Sequence, residues 1–514
     1  MITKIETPAL LSVFMITFLL LSSSSQAVKL PASGDKQFDE VVFFAFDDHS
    51  IPFRSHLRLK LVPCEKRSPV LPLGRPGQPD ANMVELYGTV IRIDGQFRMW
   101  YMGREFNADK YRYGPFRVCY AVSDDGIKWR KPDLGLVEYN GNKNNNLVGL
   151  KGTKEKFEAI ETVQVIVLYE PQEHNPKKCY KMFYVMEAST LGVVDEDFIK
   201  GFAAYSADGI RWEPSLNNPV MNNRLEPSGL IKFDGLYYIN GQTLAQWDTR
   251  VLGTYASCDF EQWTKAECTS FRRSYEPTSV YTGNKREQVH MGAALWNRDN
   301  VIVGFYGMWH GHKSDDTLLL TMDIGLVVSN DALFYREPVP DFAIIPAKGE
   351  PDDAWPALMQ AQGFENIGDK TYVWYSAWDE YGWRDKNPKN GGGLVRLAVW
   401  ERDRLGCLSA KKDDAHFICQ PVLFEPDDRI FINAGGLSAD GYLTVELLDE
   451  KFRPIEGYSG SDSAKLMCSG LRQAVQWKGK KPIKAGNRPI RIRVNYKGDK
   501  YQQIRVYAVY FCQK

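Results

Sequence analysis

The sequence predicts an all-β chain: a five-bladed β-propeller followed by a C-terminal β-sandwich. Three observations lead there. A turn recurs along the chain, as Ser123-Asp-Asp-Gly-Ile-Lys-Trp129, Ser206-Ala-Asp-Gly-Ile-Arg-Trp212, and more loosely as Ser257-Cys-Asp-Phe-Glu-Gln-Trp263 and Ser329-Asn-Asp-Ala-Leu-Phe-Tyr335. About four short strand patterns accompany each copy, which is the anatomy of a propeller blade. Near residue 417 the repeat stops while short alternating strands continue, the pattern of a sandwich. An internal repeat settles architecture before any site is considered.

The blades follow in order. Glu85 to Ile93 runs to the hairpin signal Asp94-Gly95, then Phe97 to Met102 and Arg117 to Val122 complete the first before its turn. The second takes Ile160 to Tyr169, Tyr180 to Met186 and Gly201 to Tyr205. The third takes Leu230 to Phe233, Leu236 to Asn240 and Val251 to Ala256. His290 to Trp296, Val301 to Met308 and Ile324 to Val328 make the fourth; Met359 to Phe364, Thr371 to Ser376 and Leu394 to Trp400 make the fifth, with Trp400-Glu-Arg-Asp403 as a degenerate last turn. Longer loops fall at Asn107 to Phe116, Glu170 to Lys178, Met308 to Thr317 and Trp378 to Gly393, and loops on a rigid scaffold commonly carry function. The division is therefore residues 1–27 as a leader, 28–416 as the propeller and 417–514 as the sandwich. Residues 28 to about 75 read as a lead-in. No segment has a convincing amphipathic helical period.

The leader has Lys4, an apolar run from Ala9 to Leu21 and small residues at Ser25-Gln26-Ala27, the plan of a secretory signal. The run is short for a membrane span, so an uncleaved anchor is the lesser alternative. A secreted or periplasmic protein is expected, with no other membrane association. The 64 basic and 64 acidic residues cancel, which removes the electrostatic case for nucleic acid. Nine cysteines lack Cys-x-x-Cys spacing, and His310 and His312 lack a clear third ligand, so no metal or cofactor is expected. Export permits disulfides, but the odd count leaves one thiol over, and Cys119 and Cys179 sit in apolar strand patterns as small core residues. Aspartates of the repeated turn, such as Asp125 and Asp208, serve the turn rather than chemistry.

Five four-stranded units, then a sandwich, resemble the five-bladed glycoside hydrolases of families 32 and 43 and their bacterial family-32-like relatives. The likeness spans roughly residues 75 to 514. It is carried by the Ser-Asp-Asp-Gly-x-x-Trp turn, Phe97-Arg-Met-Trp-Tyr101, Asn297-Arg-Asp-Asn-Val301 and Arg402-Asp-Arg-Leu-Gly406. The resemblance implies hydrolysis of glycosidic bonds in a poly- or oligosaccharide, with one acid on the inner strand of each of the first three blades. A blade-one Asp attacks or activates water, a blade-two Asp in Arg-Asp-Pro steadies the transition state, and a blade-three Glu donates the proton. Here Glu226-Pro227 stands at the blade-three place, Asp80 or Glu85 at blade one, and Glu158 or Glu161 at blade two, where Arg-Asp-Pro is missing. That departure keeps open a non-catalytic, glycan-binding propeller.

A register argument points to the same strands. Nine residues back from Asp94, Glu170, Asp299 and Asp369 lie Glu85, Glu161, His290 and Gln360, and eight back from Asp234 lies Glu226. The catalytic candidates are thus Glu226, Glu85, Asp80 and Glu161, since glycoside hydrolysis needs a proton-donating carboxyl and a second carboxylate. The substrate-binding candidates are His290, Glu287, Gln242, Trp247, Asp248, Trp309 and Gln360. Gln242, Trp247, Asp248 and Arg250 are placed in a loop of the third blade, where Trp stacks on sugar rings and the rest bond hydroxyls.

Overall fold

The repeated turn is built by its own side chains. In each of four copies the serine hydroxyl accepts the N–H of the aspartate two residues on (Asp125, Asp208, Asp259, Asp331). Each aspartate Oδ1 then accepts the N–H groups two and three residues further on. Such local bonds are why Ser and Asp suit turns. Burial opposes ionisation of Asp125, Asp208 and Asp259, but the backbone N–H groups outweigh it and hold all three below the usual carboxylate value.

The computed structural model describes residues 28–29, 40–107, 112–113, 116–150, 162–187, 199–244, 250–273, 287–310, 321–348, 357–378, 394–423, 429–477 and 488–512. The expected leader, residues 1–27, lies outside them. The chain is all-β, with only short 3-10 turns among the described residues. No helix there is long and apolar enough to cross a membrane.

Five up-and-down antiparallel units follow one another. Their inner strands are Met83–Ile93, Thr162–Tyr169, Glu226–Phe233, Gln288–Asn297 and Ala357–Ile367. Each pairs outward with the next strand in sequence, Gln96–Arg104, Tyr180–Glu187, Leu236–Leu244, Ile302–His310 and Lys370–Trp378. Each inner strand also packs on those of the units before and after it, and the fifth returns to the first, so the five form a closed ring. The fifth unit's outer strand is Glu65–Leu71, which pairs with Leu394–Glu401. A segment from before the first unit therefore closes the last.

Indoles lock successive units together. Trp374 of the fifth unit donates to the Gly126 carbonyl in the first unit's turn, and Trp100 of the first donates to Gly209 in the second's. Both glycines have left-handed φ, 73° and 76°, and a Cβ there would lie 2.7 and 2.8 Å from the indole rings. Phe260 and Ala332 occupy the same place in the looser copies, also at positive φ, a conformation L-residues adopt at a cost.

The remaining strands form two further sheets. One orders Gly470–Ala474, Arg429–Gly435, Arg505–Cys512, Gly406–Ala410 and Leu57–Leu61, with Val41–Phe44 also on Arg505–Cys512. The other is built on Pro489–Lys497, which pairs with Tyr442–Asp449 and His416–Ile418, with Phe53–Ser55 on the far side of His416–Ile418. Their facing side chains, among them Phe43, Ile432, Phe511, Val445 and Ile492, share one core. Alternate residues of the first sheet, Val42, Phe44 and Tyr510, pack instead on Val303, Phe305 and Trp400 of the fourth and fifth units. Alternation along a strand makes this two-sided use possible. The expected boundary at 417 and the lead-in both differ from this pairing, because residues 41–61 and Gly406–Ala410 complete the C-terminal sheets. Cys119 is a buried thiol and Cys179 a half-buried one.

Candidate functional site

Every inner strand shifts register near its start. The shifts fall between Glu85 and Thr89, Thr162 and Gln164, Pro227 and Gly229, His290 and Ala293, and Gln360 and Phe364. A bulge re-aims the side chains beside it, and bulges gather near functional sites. Glu85, His290 and Gln360 stand immediately ahead of a shift, and Glu226 one residue earlier. For these four residues the polar register found in the sequence coincides with a structural one. In the fourth unit the bulge turns through Met291 and Gly292, with φ of 58° and 81°.

The third and fourth units meet around Glu226. Its Oε2 accepts Gln242 Nε2 at 2.9 Å, and its Oε1 accepts Arg224 Nη2 at 3.3 Å. The Gln242 Oε1 in turn accepts the Met291 N–H at 3.2 Å, which ties the carboxylate's partner to the bulge. Arg250 feels the Glu226 charge, though burial is the larger effect and lowers its pKa. The Arg250 guanidinium lies 4.7 Å from the centre of the Trp309 ring, and that ring stacks on His290 at 5.3 Å. Burial first, and the Arg250 charge second, push His290 well below its usual value, so the imidazole is neutral.

Amides fill the middle of the ring. Gln360 Nε2 lies within hydrogen-bond distance of Ser228 Oγ and the carbonyls of His290 and Gly292. Gln362 accepts from Leu295 N and donates to the Leu230 carbonyl. Gln164 of the second unit reaches Met291 Sδ, and its Oε1 has no partner among the described residues. Buried amides of this kind are costly unless bonded, so they fix the strands relative to one another.

The expected site residues divide accordingly. Glu226, Gln242, His290, Trp309 and Gln360 come together. Glu85 is buried at the matching place on the first inner strand, opposite Met102. Asp80 is elsewhere: it precedes the inner strand, and its Oδ2 takes Tyr101 Oη at 2.6 Å and Lys131 Nζ at 2.5 Å. Glu287 turns outward, to Arg273 at 2.7 Å and His310 at 2.8 Å. Glu161, Trp247 and Asp248 lie outside the described residues. Two local expectations are corrected. Gln242 and Arg250 are on strands, not in a loop, because Leu236–Leu244 and Arg250–Ser257 pair up to Leu244 and Arg250. Trp309 and His310 belong to the strand Ile302–His310. Trp309 is 2% exposed with His290 and Arg250 on its ring, so it forms a wall of the site.

Arg224, Ser228 and Gln164 were not singled out in the sequence. Gln164 had a signal, a lone amide within the apolar run Thr162–Tyr169. Arg224 and Ser228 had none, being ordinary polar residues beside Glu226. Among the described residues no group of three or more His, Cys, Asp or Glu could hold a metal ion.

No family model matches the chain and no curated protein matches it. Its fold is similar to solved structures of carbohydrate-active proteins. One belongs to the GH130 family of mannoside phosphorylases, which contains glycoside hydrolases that target beta-1,2 mannosidic linkages in Candida mannan: 13% identity, TM-score 0.43, covering 67% of this chain and 95% of that one. A glycosyl hydrolase from Bacteroides ovatus has 13% identity and TM-score 0.45 over 67% of this chain and 96% of its own. The Bombyx mori GH32 beta-fructofuranosidase has 10% identity and TM-score 0.41 over 87% and 94%. These are likenesses, so function rests on the site's own geometry.

Proposed function

We propose that this chain is an exported glycoside hydrolase built as a five-bladed β-propeller with a β-sandwich, acting on a poly- or oligosaccharide. In this reading the propeller runs from Glu65 to about Glu401, and the sandwich joins residues 41–61 to 406–512. The observation that carries the proposal is the gathering of Glu226, Gln242, Arg250 and His290 where the inner strands bulge, with Glu85 at the matching point of the first blade. Glu226 is the general acid: it delivers a proton to the glycosidic oxygen as the bond to the anomeric carbon breaks. Glu85 is the second carboxylate, attacking that carbon or taking a proton from the attacking water. Glu161, which the sequence assigns to the second blade, is the third acid. Gln242 orients the Glu226 carboxyl, while Arg250 and the neutral His290 face substrate hydroxyls.

The test is turnover. Glu226→Gln keeps the shape and loses the proton, so the variant should lose about 100-fold or more in kcat with its melting temperature unchanged. Retained turnover on the same glycan refutes the assignment. A second reading is a non-catalytic glycan-binding propeller, favoured by Glu226 accepting hydrogen bonds on both oxygens. Saturable glycan binding by the wild type, with no product from any bound glycan, would establish it.

A further inference from the structure

Between the first and second units, at the ends of the inner strands away from the bulges, lies a cleft of about 560 Å³. That is within the range of small-molecule sites, about 300–1,000 Å³. Its walls include the rings of Tyr120, Tyr169 and Tyr180, and two guanidinium groups, Arg98 and Arg130, line it. Tyr169 and Tyr180 lie 4.6 Å apart between ring centres.

The next junction around the ring shows what is different here. Phe97, Tyr180 and Tyr237 stand opposite the turn serines Ser123, Ser206 and Ser257, so they are equivalent. Arg98 and Lys181 follow them and share a position. Lys181 is buried between Glu170 at 2.8 Å and Glu173 at 2.6 Å, and Glu170 also takes Lys232 and the Tyr237 hydroxyl. That junction is filled by its own ion network. At the first junction the place of Glu170 falls to Ile93. Among the described residues Arg98 donates only to the Tyr180 hydroxyl at 2.7 Å and the Asp208 carbonyl at 3.4 Å, and Arg130 makes no ion pair. Of the two carboxylates at the rim, Asp208 is committed to its own turn and to Arg211, and Asp94 sits on the exposed hairpin turn.

We propose that this cleft is a second saccharide site, remote from Glu226, and that it takes a sugar bearing a carboxylate. The ligand carboxylate supplies what Glu170 supplies at the neighbouring junction: a planar anion for Arg98 and Arg130. The tyrosine rings offer apolar faces with hydroxyl tips to the sugar ring, which a bare inorganic anion would leave unused. That the occupant is a saccharide accords with the proposed function but does not depend on turnover.

Calorimetry on the full-length Glu226→Gln chain tests this without product formation. An oligomer of galacturonic acid should bind, and a neutral oligosaccharide of equal length should bind about tenfold or more weakly, the scale of one charge-assisted contact. Arg130→Gln, at an exposed position, and Arg98→Gln should each weaken the acidic oligomer by about tenfold, and added salt should weaken it further. Arg130→Gln alone carries the test if the Arg98 variant does not fold. Equal binding of acidic and neutral oligomers, binding unchanged in Arg130→Gln, or displacement of the oligomer by millimolar inorganic phosphate would each overturn the proposal. Wild-type turnover is read separately, so failure of the cleft and failure of the Glu226 assignment are distinguishable.

Discussion

Arg298 and Asp403 come from two motifs that stood out in the sequence for their likeness to glycosidases, and they meet in the core. Arg298 Nη1 lies 2.6 Å from Asp403 Oδ1, with the aspartate fully buried. Asn366 and the Tyr510 hydroxyl also donate to that carboxylate, joining the fourth unit, the fifth and a C-terminal sheet. Burial opposes the Asp403 charge, but Arg298 outweighs it and holds the pKa down. Arg298→Met should cost about 3–5 kcal/mol in denaturant unfolding, since it strands a buried carboxylate. His310 gives a pH prediction. Asp323 first, then Glu287, push its pKa up to about 9. Its stabilisation is fully present below about pH 6.5, the unfolded value, and is lost as pH rises through 9. With the partners partly exposed, the effect is on the order of 1 kcal/mol, and His310→Gln should flatten that part of the stability profile. Both sets of residues were visible as polar residues in the sequence, but their pairing was not: Arg298 and Asp403 are 105 residues apart, and Asp323 and Glu287 reach His310 from neighbouring strand positions 13 and 23 residues away, separations that leave no local pattern.

At the scale of elements, turns and strands were legible because their signals are local. The Asp94-Gly95 and Asp234-Gly235 hairpins and the four Ser-x-Asp turns formed where the residue types called for them. Gln242, Arg250, Trp309 and His310 were misplaced into loops because polar residues at strand ends look like loop residues until pairing is known. The bulges were not legible either, although the polar residues beside them were. The turns themselves make a prediction: the depressed aspartates Asp125, Asp208 and Asp259 contribute stability above about pH 3.9, lost as pH falls through their lower folded-state values. Replacing all three with Asn should shallow the acid unfolding transition. Gly126→Ala should destabilise by about 1–3 kcal/mol, because it combines left-handed φ with a 2.7 Å approach to Trp374.

At the scale of the molecule, the two ends of the chain are interleaved. Val41–Phe44 pairs with Arg505–Cys512, Leu57–Leu61 with Gly406–Ala410, and Glu65–Leu71 closes the fifth unit. Sequence alone placed residues 28 to 75 as a lead-in, because short apolar strands carry no mark of which distant strand will accept them. Residues 417–514 expressed alone should therefore fail to give a cooperative unfolding transition, and residues 406–514 with residues 40–61 added in trans should give one. The bulged strand ends around Glu226 are the proposed place of the chemistry. Product release from a panel of poly- and oligosaccharides, compared between the wild type and Glu226→Gln at equal folding stability, tests it most directly. The account predicts that the wild type liberates sugar from at least one glycan and the variant does not. Equal product from both, or none from a glycan the wild type demonstrably binds, would contradict it.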